Sequence, residues 1–471
     1  MTHPLASRTA LAATALALVA AGASVPAASA SPADKTNRGA TATGQAVERL
    51  IVHFADGTAA DTDDAAARAE VAAVGRGSGH QLSVTRRLST EGVLVQVAAP
   101  LDGPAADRLI ARFVERSGVA YAEVDATMIA TLTPNDSNYG QQWHYSEPLA
   151  GMNLPTAWDT ADGTGVTVAV LDTGITRHPD LDANVLGGYD FVSSATNARD
   201  GDGRDPDPTD LGDYYARNEC GKGVPGSNSS WHGTHVAGTI GAVTGNGLGV
   251  SGVAFGAKVQ PVRVLAKCGG TLADIADAIT WASGGTVSGI PANANPATVI
   301  NMSLGGGGTC GATYQNAING AVARGTTVVV AAGNSNANAA NYQPSSCQNV
   351  VVVAASDRQG NRAAYSNYGA IIDVTAPGGE TATQANGVLS TLNTGTTVLG
   401  DPAYAYYQGT SMATPHVAGL AALLLGEKAF TPSALETALK AGTRPLAGSC
   451  SGGCGAGLVD AAKAVADTVT P

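Results

Sequence analysis

Uninterrupted hydrophobic runs recur through residues 165–378, and stretches with helical periodicity lie between them. Runs of Val, Ile and Ala without polar alternation are typical of strands that are buried on both faces of a sheet. Because these strands alternate with helices, we expect an α/β unit in which helices cover both faces of a mostly parallel central sheet. The predicted strands are 165–172, 257–265, 297–305, 326–334, 349–356 and 370–378, and the predicted helices include 271–283 and 313–325.

A smaller module with a different pattern precedes this unit. One of its helical segments begins with acidic residues and ends at Gly75, and a second begins at Pro104 and ends at Gly118. Short segments of β-branched and apolar residues flank both helices. The predicted strands are 48–54, 92–98 and 119–131, and 81–89 is a candidate for an extra strand. This order predicts a small ferredoxin-like α+β fold for about residues 46–131.

The first thirty residues have the pattern of an export signal. Arg8 precedes an apolar, Ala-rich run, and small residues lead to a cleavage site at Ala30. Residues 31–45 are polar and rich in Gly, Ala and Thr, which is typical of a linker. No later stretch approaches the roughly 20 apolar residues that span a bilayer. We therefore expect a secreted, extracellular protein whose mature form has no membrane association.

Net charge and cysteine content exclude some classes of function and favour a disulfide-bonded protein. The net charge of −12 argues against nucleic-acid binding, which requires clustered Lys and Arg. The chain has 6 cysteines, an even number after an export signal, which favours disulfides. A zinc site is disfavoured because no Cys-x-x-Cys pair with matching histidines occurs. The short loop and sequence proximity favour the pairs Cys450–Cys454, Cys220–Cys268 and Cys310–Cys347.

Three polar residues stand where parallel sheets concentrate chemistry. Asp172 ends a predicted strand, His232 stands at a probable helix start, and Ser411 precedes a helix that is apolar or small nearly all round. Pro415 is tolerated in the first turn of a helix, which places Ser411 at the helix N-terminus. Two of them also have a purely structural interpretation: Asp172 as a helix N-cap or turn residue, and Ser411 as a capping serine. For His235, three positions after His232, packing is favoured over metal binding because no zincin glutamate accompanies it.

The segments "VLDTGI", "HGTHVAGT" and "GTSMATPHVAG" together resemble the three signature blocks of the subtilisin-like serine peptidases, the subtilase family. The likeness spans residues 140 to about 465 and implies a subtilisin-like three-layer fold. It also implies that Ser411 is the nucleophile, His232 the general base and Asp172 the residue that orients the imidazole. Asn334 matches the family's oxyanion-hole asparagine. An α/β-hydrolase is excluded because its Ser precedes the acid and the His in the chain.

The resemblance assigns substrate contacts as well. The backbone of 302–308 matches the family segment that pairs with an extended peptide, so we expect protein and peptide substrates. The walls of the pocket for the residue before the cut are small and uncharged, which predicts an apolar pocket. The residues concerned are Ser303, Leu304, Gly305, Gly306, Ala331, Ala332 and Gly333.

The resemblance also divides the chain into functional regions. Residues 31–131 resemble the family's inhibitory propeptide, an intramolecular partner that self-cleavage within 129–136 would release. A stable accessory domain is the alternative reading of this module. Residues 132–471 would then be the catalytic domain, which we expect to be a monomer.

An acidic loop suggests a bound cation. One Gly- and Pro-rich loop contains seven aspartates: Asp190, Asp210 and the five candidate ligands named below. Crowded carboxylates repel one another unless a hard cation neutralises them. A solvated acidic loop is the alternative to a structural calcium site. The candidate ligands are Asp200, Asp202, Asp205, Asp207 and Asp213.

The whole pattern predicts a secreted serine endopeptidase that is made as an autoprocessed zymogen and acts at neutral to alkaline pH. The alternative is a catalytically inactive, subtilase-like calcium-dependent binding protein.

Overall fold

The computed structural model describes residues 46–126 and 132–469. The chain divides into two compact units between residues 128 and 129. The predicted signal peptide, the linker and residues 127–131, which include the start of the expected processing region, lie outside the described residues. Within those residues, every helix is too short or too polar to cross a bilayer.

The first unit is built from four strands and three helices. The strands are β1 (Val47–Phe54), β2 (Leu82–Arg87), β3 (Val93–Leu101) and β4 (Val119–Val124). The helices are α1 (Ala59–Thr62), α2 (Asp64–Ser78) and α3 (Gly103–Val114). The strands form an antiparallel sheet in the order β2-β3-β1-β4. One apolar core joins this sheet to α2 and α3, so the arrangement is ferredoxin-like and the extra strand is real.

Two helix ends in this unit differ from the prediction: α3 ends at Val114 rather than Gly118, and α2 extends beyond Gly75. Gly75 does not end α2, which continues to Ser78 and is capped by Gly79 with φ of +76°. A Cβ at Gly75 would lie 2.7 Å from the carbonyl oxygen of His80. Gly75 is therefore explained by the chain that folds back over the helix, whereas Gly79 has the left-handed conformation that ends it.

The second unit contains thirteen strands and nine helices in its described part. The strands are β5 (Thr167–Asp172), β6 (Tyr189–Asp190), β7 (Lys258–Arg263), β8 (Val299–Met302), β9 (Gly306–Gly307), β10 (Thr327–Ala331), β11 (Tyr342–Gln343), β12 (Val351–Ser356), β13 (Val374–Pro377), β14 (Val388–Asn393), β15 (Pro402–Tyr407), β16 (Thr443–Arg444) and β17 (Leu458–Val459). The helices are α4 (Trp143–Ser146), α5 (Leu154–Trp158), α6 (Ala195–Ala198), α7 (His232–Gly241), α8 (Leu272–Ala282), α9 (Ala312–Ala323), α10 (Thr410–Glu427), α11 (Pro432–Ala441) and α12 (Ala461–Val469).

Nine of these strands form one sheet in the order β16-β17-β13-β12-β10-β8-β5-β7-β6, and only the edge strand β16 is antiparallel to its neighbour. Successive residues of a strand point to opposite faces. In β5, Val168 and Val170 join the core that contains α7 and α10, while Ala169 and Leu171 join the core that contains α8 and α9. The expected three-layer α/β fold with a mostly parallel sheet is therefore confirmed.

Two features outside the sheet complete this unit. Strands β14 and β15 form a separate antiparallel hairpin that the sequence analysis missed. The three disulfides join Cys220 to Cys268, Cys310 to Cys347, and Cys450 to Cys454. These are the pairs that sequence proximity favours.

Candidate active site

Asp172 is the last residue of β5, near the middle of the sheet, and it is fully buried. Its Oδ1 accepts a hydrogen bond from the backbone N–H of Thr173 at 2.8 Å. The same oxygen lies 2.7 Å from Nδ1 of His232. A buried carboxylate requires such donors because it has lost its hydration. Asp172 therefore meets His232 at the carboxyl end of the sheet, where parallel folds place their sites.

His232 is the first residue of α7, and several contacts fix the start of this helix. Trp231, which precedes it, adopts a left-handed φ of +48°, and its buried indole N–H donates to the carbonyl of Gly395 at 2.6 Å. The Gly233 N–H donates to Oγ1 of Thr173 at 3.0 Å. A Cβ at Gly233 would lie 2.1 Å from the Gly174 carbonyl oxygen. Glycine is therefore needed for the close approach that brings His232 to Asp172.

The electrostatic environment of His232 favours its charged form. Burial lowers the pKa of the imidazole, but the charge of Asp172 and its hydrogen bond outweigh burial, so the pKa of His232 is raised above 6.5. Asp213 and Asp210 contribute in the same direction. Burial raises the pKa of Asp210 itself to about 7, although it accepts hydrogen bonds from Thr173 and Gly212.

Ser411 is the second residue of α10, where backbone N–H groups have no acceptor within the helix. Its hydroxyl donates to the carbonyl oxygen of Ser303 at 3.1 Å. In return, the Ser303 hydroxyl donates to the carbonyl oxygen of Ser411 at 2.8 Å. Ser303 also lines a cavity together with His232. The structure thus brings Asp172, His232 and Ser411 to one region of the molecule.

Pro415 lies one turn later than the sequence analysis expected. It is the sixth residue of α10 rather than a member of the first turn. In a regular helix the N–H of residue 415 would donate to the carbonyl of Ser411, but proline has no N–H. The Ser303 hydroxyl supplies the missing donor. Proline is therefore tolerated here because a neighbouring strand end satisfies the freed carbonyl.

Asn334 follows β10 and is exposed. Its Oδ1 accepts hydrogen bonds from the Thr410 backbone N–H at 2.8 Å and from the Thr410 hydroxyl at 2.9 Å. These two bonds fix which side of the amide faces α10. The amide nitrogen Nδ2 lies near Gly409 and has no hydrogen-bond partner within 46–126 or 132–469. A donor group is thus held beside the start of α10 and left free.

The residues predicted to bind substrate divide into exposed and buried members. Leu304, Gly305 and Gly306 line a cavity of about 420 Å³. The next segment, Gly306–Gly307, pairs with Tyr342–Gln343 of β11. The remaining predicted residues are less accessible. Ser303, Ala331 and Ala332 are buried, and Gly333 is half-buried with φ of +102°.

His235 is packed in the interior, as its sequence context predicts. Its Nε2 lies 3.1 Å from the Val388 carbonyl and 3.0 Å from the Ala405 carbonyl, so it joins α7 to the β14–β15 hairpin. Its ring stacks on Tyr407 with the centroids 4.6 Å apart. Burial lowers the pKa of His235 to about 3, and a neutral, packed histidine is the result.

Three carboxylates of the acidic loop could hold a cation. Asp190, Asp200 and Asp205 each offer one oxygen, and the three oxygens lie within 4.8 Å of one another. Nη1 of Arg263 donates to Asp190 at 2.7 Å and to Asp200 at 3.0 Å. Because Arg263 carries one positive charge and the group has three carboxylates, the group keeps a net negative charge that a cation could neutralise. Two carboxylate oxygens of the group, however, already accept hydrogen bonds from Arg263.

The other predicted ligands lie outside this group, since each has a different local role. Oδ1 of Asp207 accepts the Thr209 hydroxyl at 2.6 Å. The carboxylate of Asp213 binds the backbone N–H and hydroxyl of Ser230 at 2.6 and 2.8 Å. Asp202 is exposed and donates its backbone N–H to Asp200. Of the five predicted ligands, only Asp200 and Asp205 therefore belong to the three-carboxylate group.

Several residues that position the site were missed from the sequence. Thr173, Asp210 and Trp231 hold the start of α7, and the Ser303 hydroxyl holds the start of α10. Thr173 and Trp231 adjoin Asp172 and His232 in the chain, so proximity was the one signal available. Asp210 offered no such signal, because it was one aspartate among many in the acidic loop.

Comparisons with known proteins agree with this geometry. The sequence profile of the subtilase family matches residues 163–457. An extracellular protease of Xanthomonas campestris pv. campestris is 55% identical over 434 residues, which cover 90% of this chain and 73% of that protein. An extracellular basic protease of Dichelobacter nodosus is 48% identical over 358 residues, or 74% of this chain and 58% of that protein.

A solved structure points to the same family. A structure of proteases from Pseudoalteromonas arctica PAMC 21717 superposes on this chain with a TM-score of 0.71 and 59% sequence identity. The superposition covers 72% of this chain and 100% of that chain. The profile match and these relatives together show that the chain belongs to the subtilase family and is a serine protease.

Proposed function

We propose that this chain is a secreted endopeptidase that cleaves peptide bonds through Asp172, His232 and Ser411. The observation that carries the proposal is the 2.7 Å contact between Asp172 and His232, beside a serine at the N-terminus of a buried helix. A capping serine and a packed histidine would not require a buried carboxylate between the sheet and the imidazole.

The Asp172 carboxylate assigns the proton positions in this mechanism. A carboxylate only accepts, so the hydrogen on His232 is on Nδ1 and the lone pair is on Nε2. Nε2 would take the proton of the Ser411 hydroxyl as Oγ attacks the substrate carbonyl. The imidazolium would then protonate the leaving amine, and an acyl-enzyme remains. Water would release the acyl group by the same steps in reverse order.

The start of α10 and Asn334 are suited to stabilise the oxyanion. The Asn334 oxygen is occupied by Thr410, so its amide nitrogen is free to donate. The Ser411 N–H and the helix dipole would add to this donor. One donor of this kind contributes about 3 kcal/mol of transition-state stabilisation, a value for which a member of this family is the standard example.

We further propose that the enzyme is made as a zymogen. Residues 1–30 would direct export and 31–131 would act as an inhibitory propeptide, leaving 132–471 as the mature enzyme. The separate ferredoxin-like unit at 46–126 supports this division. The extracellular proteases named among the relatives support secretion.

Calcium is proposed as a structural cation. Asp190, Asp200 and Asp205 would hold it through carboxylate oxygens, which are the ligands that calcium prefers. The ion would neutralise the charge that Arg263 leaves uncompensated and would take no part in peptide hydrolysis.

The proposal is tested by expressing the full chain with Ser411→Ala beside the unchanged protein. We expect the unchanged protein to lose residues up to about 132 and to hydrolyse casein until a sulfonyl fluoride is added. The Ser411→Ala protein should accumulate as an unprocessed precursor without activity. Ser335→Ala, which removes an exposed hydroxyl next to Asn334, is the matched control and should be processed normally.

N-terminal sequencing of both secreted products identifies the processing bond. Casein hydrolysis that survives Ser411→Ala, or an unchanged protein that neither matures nor cleaves casein, would contradict the proposal. The second result is the one expected of a calcium-dependent binding protein.

A further inference from the structure

Two cavities adjoin each other on one side of His232. The first, which we call the acidic cavity, has a volume of about 340 Å³ and is lined by Thr173, Asp213, Tyr215, Ser230, His232 and the Cys220–Cys268 disulfide. The second, the apolar cavity, has a volume of about 420 Å³ and is lined by Leu272, Ile275, Leu304 and Tyr314. Cys268 and Gly269 belong to both walls, so the two cavities are immediate neighbours.

The acidic cavity contains a carboxylate without a cationic partner. Asp213 accepts two hydrogen bonds from Ser230, and no Lys or Arg of the described segments pairs with it or lines the cavity. Two cations close to the cavity in the chain have other partners. Lys267 pairs with Glu219 at 2.8 Å. Arg199 donates to the backbone carbonyls of the residues on either side of Asp213 and stacks on Tyr214.

Two adjoining cavities on one side of a groove are suited to an extended peptide. Side chains two positions apart lie on the same face of a strand, about 6.6 Å from each other. Neighbouring cavities on one side of the groove would therefore receive alternate residues of a bound peptide. Because His232 lines the acidic cavity, that cavity is the nearer of the two to the bond that is cut. The apolar cavity, which Leu304, Gly305 and Gly306 also line, would then receive the fourth residue before the bond instead of the residue next to it.

We propose that the acidic cavity selects substrates with Lys or Arg at the second residue before the cleaved bond, and that Asp213 is the residue that reads this charge. The inference rests on the proposed peptidase function. A bound ammonium or guanidinium group would pair with Asp213 in a partly enclosed space, where a charge-assisted hydrogen bond is stronger than in open solvent. The aliphatic stem of the side chain would lie along Cys220–Cys268 and Tyr215.

The experiment compares tetrapeptide anilides that differ only at this second residue: Lys, Arg, norleucine, Ala or Glu. Norleucine matches the length and stem of Lys without its charge. We expect kcat/KM for Lys to exceed that for norleucine by about tenfold at low ionic strength, which is the effect of one charged hydrogen bond. The ratio should shrink at high ionic strength, and Glu should be the poorest substrate.

Asp213→Asn is the informative variant because it removes the charge and keeps the shape. The Asn oxygen can still accept the Ser230 N–H, and its amide nitrogen can donate to the Ser230 hydroxyl, which in the unchanged protein donates to Asp213. The ratio of Lys to norleucine should fall to about one in this variant, as expected for loss of a single ion pair. Glu427→Gln is the matched control: it removes an exposed carboxylate at the opposite end of α10 from Ser411, and it should keep the ratio.

The outcomes separate this inference from the proposed function. If no tetrapeptide is cleaved, the peptidase proposal fails. If all are cleaved without preference for Lys over norleucine, or if the preference survives Asp213→Asn, only the role of the acidic cavity is overturned. Should Asp213→Asn not fold, the ionic-strength dependence of the unchanged enzyme tests the role of the acidic cavity. A preference for Lys over norleucine that does not change with salt concentration does not arise from charge, and it would overturn that role.

Discussion

At the scale of single residues, three histidines show how the surroundings set a pKa. His235 and His416 are buried without a carboxylate partner, and burial lowers their pKa values to about 3 and about 4. Burial acts on His232 in the same direction, yet its pKa is raised because the Asp172 charge, the hydrogen bond from His232 to Asp172 and the charges of Asp213 and Asp210 together outweigh burial. Among these three, His232 alone is therefore suited to gain and lose a proton near neutral pH.

This difference predicts the pH dependence of peptide hydrolysis. The base must be neutral, so kcat/KM should fall as the pH drops through the pKa of His232. Because this pKa is raised, the midpoint of the fall is expected above 6.5, the ordinary value. The measurement is a pH profile of kcat/KM on a peptide anilide. A midpoint at or below 6.5 would show that Asp172 does not outweigh burial.

Asp172→Asn is the variant that separates the two causes. It should reduce kcat by about 10⁴-fold, because the imidazole is no longer held in the required tautomer. In its residual activity the midpoint should move below that of the unchanged enzyme, since the charge that most strongly opposes burial is removed and only Asp213 and Asp210 still raise the pKa of His232. An unmoved midpoint would point to another residue as the group that titrates.

At the scale of elements, the start of α10 depends on a strand end rather than on its own sequence. Pro415 removes the donor for the Ser411 carbonyl, and the Ser303 hydroxyl at the end of β8 replaces it. The Ser411 hydroxyl bonds back to the Ser303 carbonyl. Helix and strand end are thus joined by two hydrogen bonds at the residue that would attack the substrate.

A double-mutant cycle tests this joint, with Ser411→Ala as the background so that autolysis is avoided. Ser303→Ala should lower the free energy of unfolding by about 1–3 kcal/mol, because a buried carbonyl loses its donor. In a Pro415→Ala protein the restored N–H can donate to that carbonyl, so the same substitution should cost about 1 kcal/mol less. Denaturant unfolding measures all four proteins, and strictly additive costs would refute the replacement of one donor by the other.

At the scale of the whole molecule, the second unit combines two apolar cores with three disulfides. The cores lie on opposite faces of the nine-stranded sheet. The disulfides close loops of very different length: the sequence separation is 48 for Cys220–Cys268 and 37 for Cys310–Cys347, but only 4 for Cys450–Cys454. Their contributions to stability should therefore differ.

Chain entropy predicts the size of that difference. Replacing both cysteines of Cys310–Cys347 by serine should cost about 4 kcal/mol, and the same change at Cys450–Cys454 about 2 kcal/mol, because a longer loop gains more freedom in the unfolded state. Denaturant unfolding in the Ser411→Ala background compares the two variants. Equal costs would mean that local packing around each disulfide, rather than loop closure, determines its contribution.

Much of the second unit was predictable because its strands are buried on both faces. Such strands have uninterrupted apolar sequences. All six predicted strands occur in the structure, as do the helices predicted at 271–283 and 313–325. In the β14–β15 hairpin, β14 mixes apolar and hydroxyl residues without alternation, and β15 is a short Ala and Tyr run after a proline, so neither strand was predicted. The end of α2 was misplaced because Gly75 serves a close approach to His80, which no local pattern reveals.

The chain's own sequence determined the family, the sheet-and-helix order, the disulfide pairs and the identity of the residues that meet at the carboxyl edge of the sheet. These features follow from local patterns and from motifs of fixed spacing. Only the tertiary structure decided which donor serves the Ser411 carbonyl, which carboxylates gather around Arg263, and that Asp213 faces a cavity beside His232. Each of these depends on distances between segments far apart in the chain, and such distances are set by packing rather than by neighbouring residues.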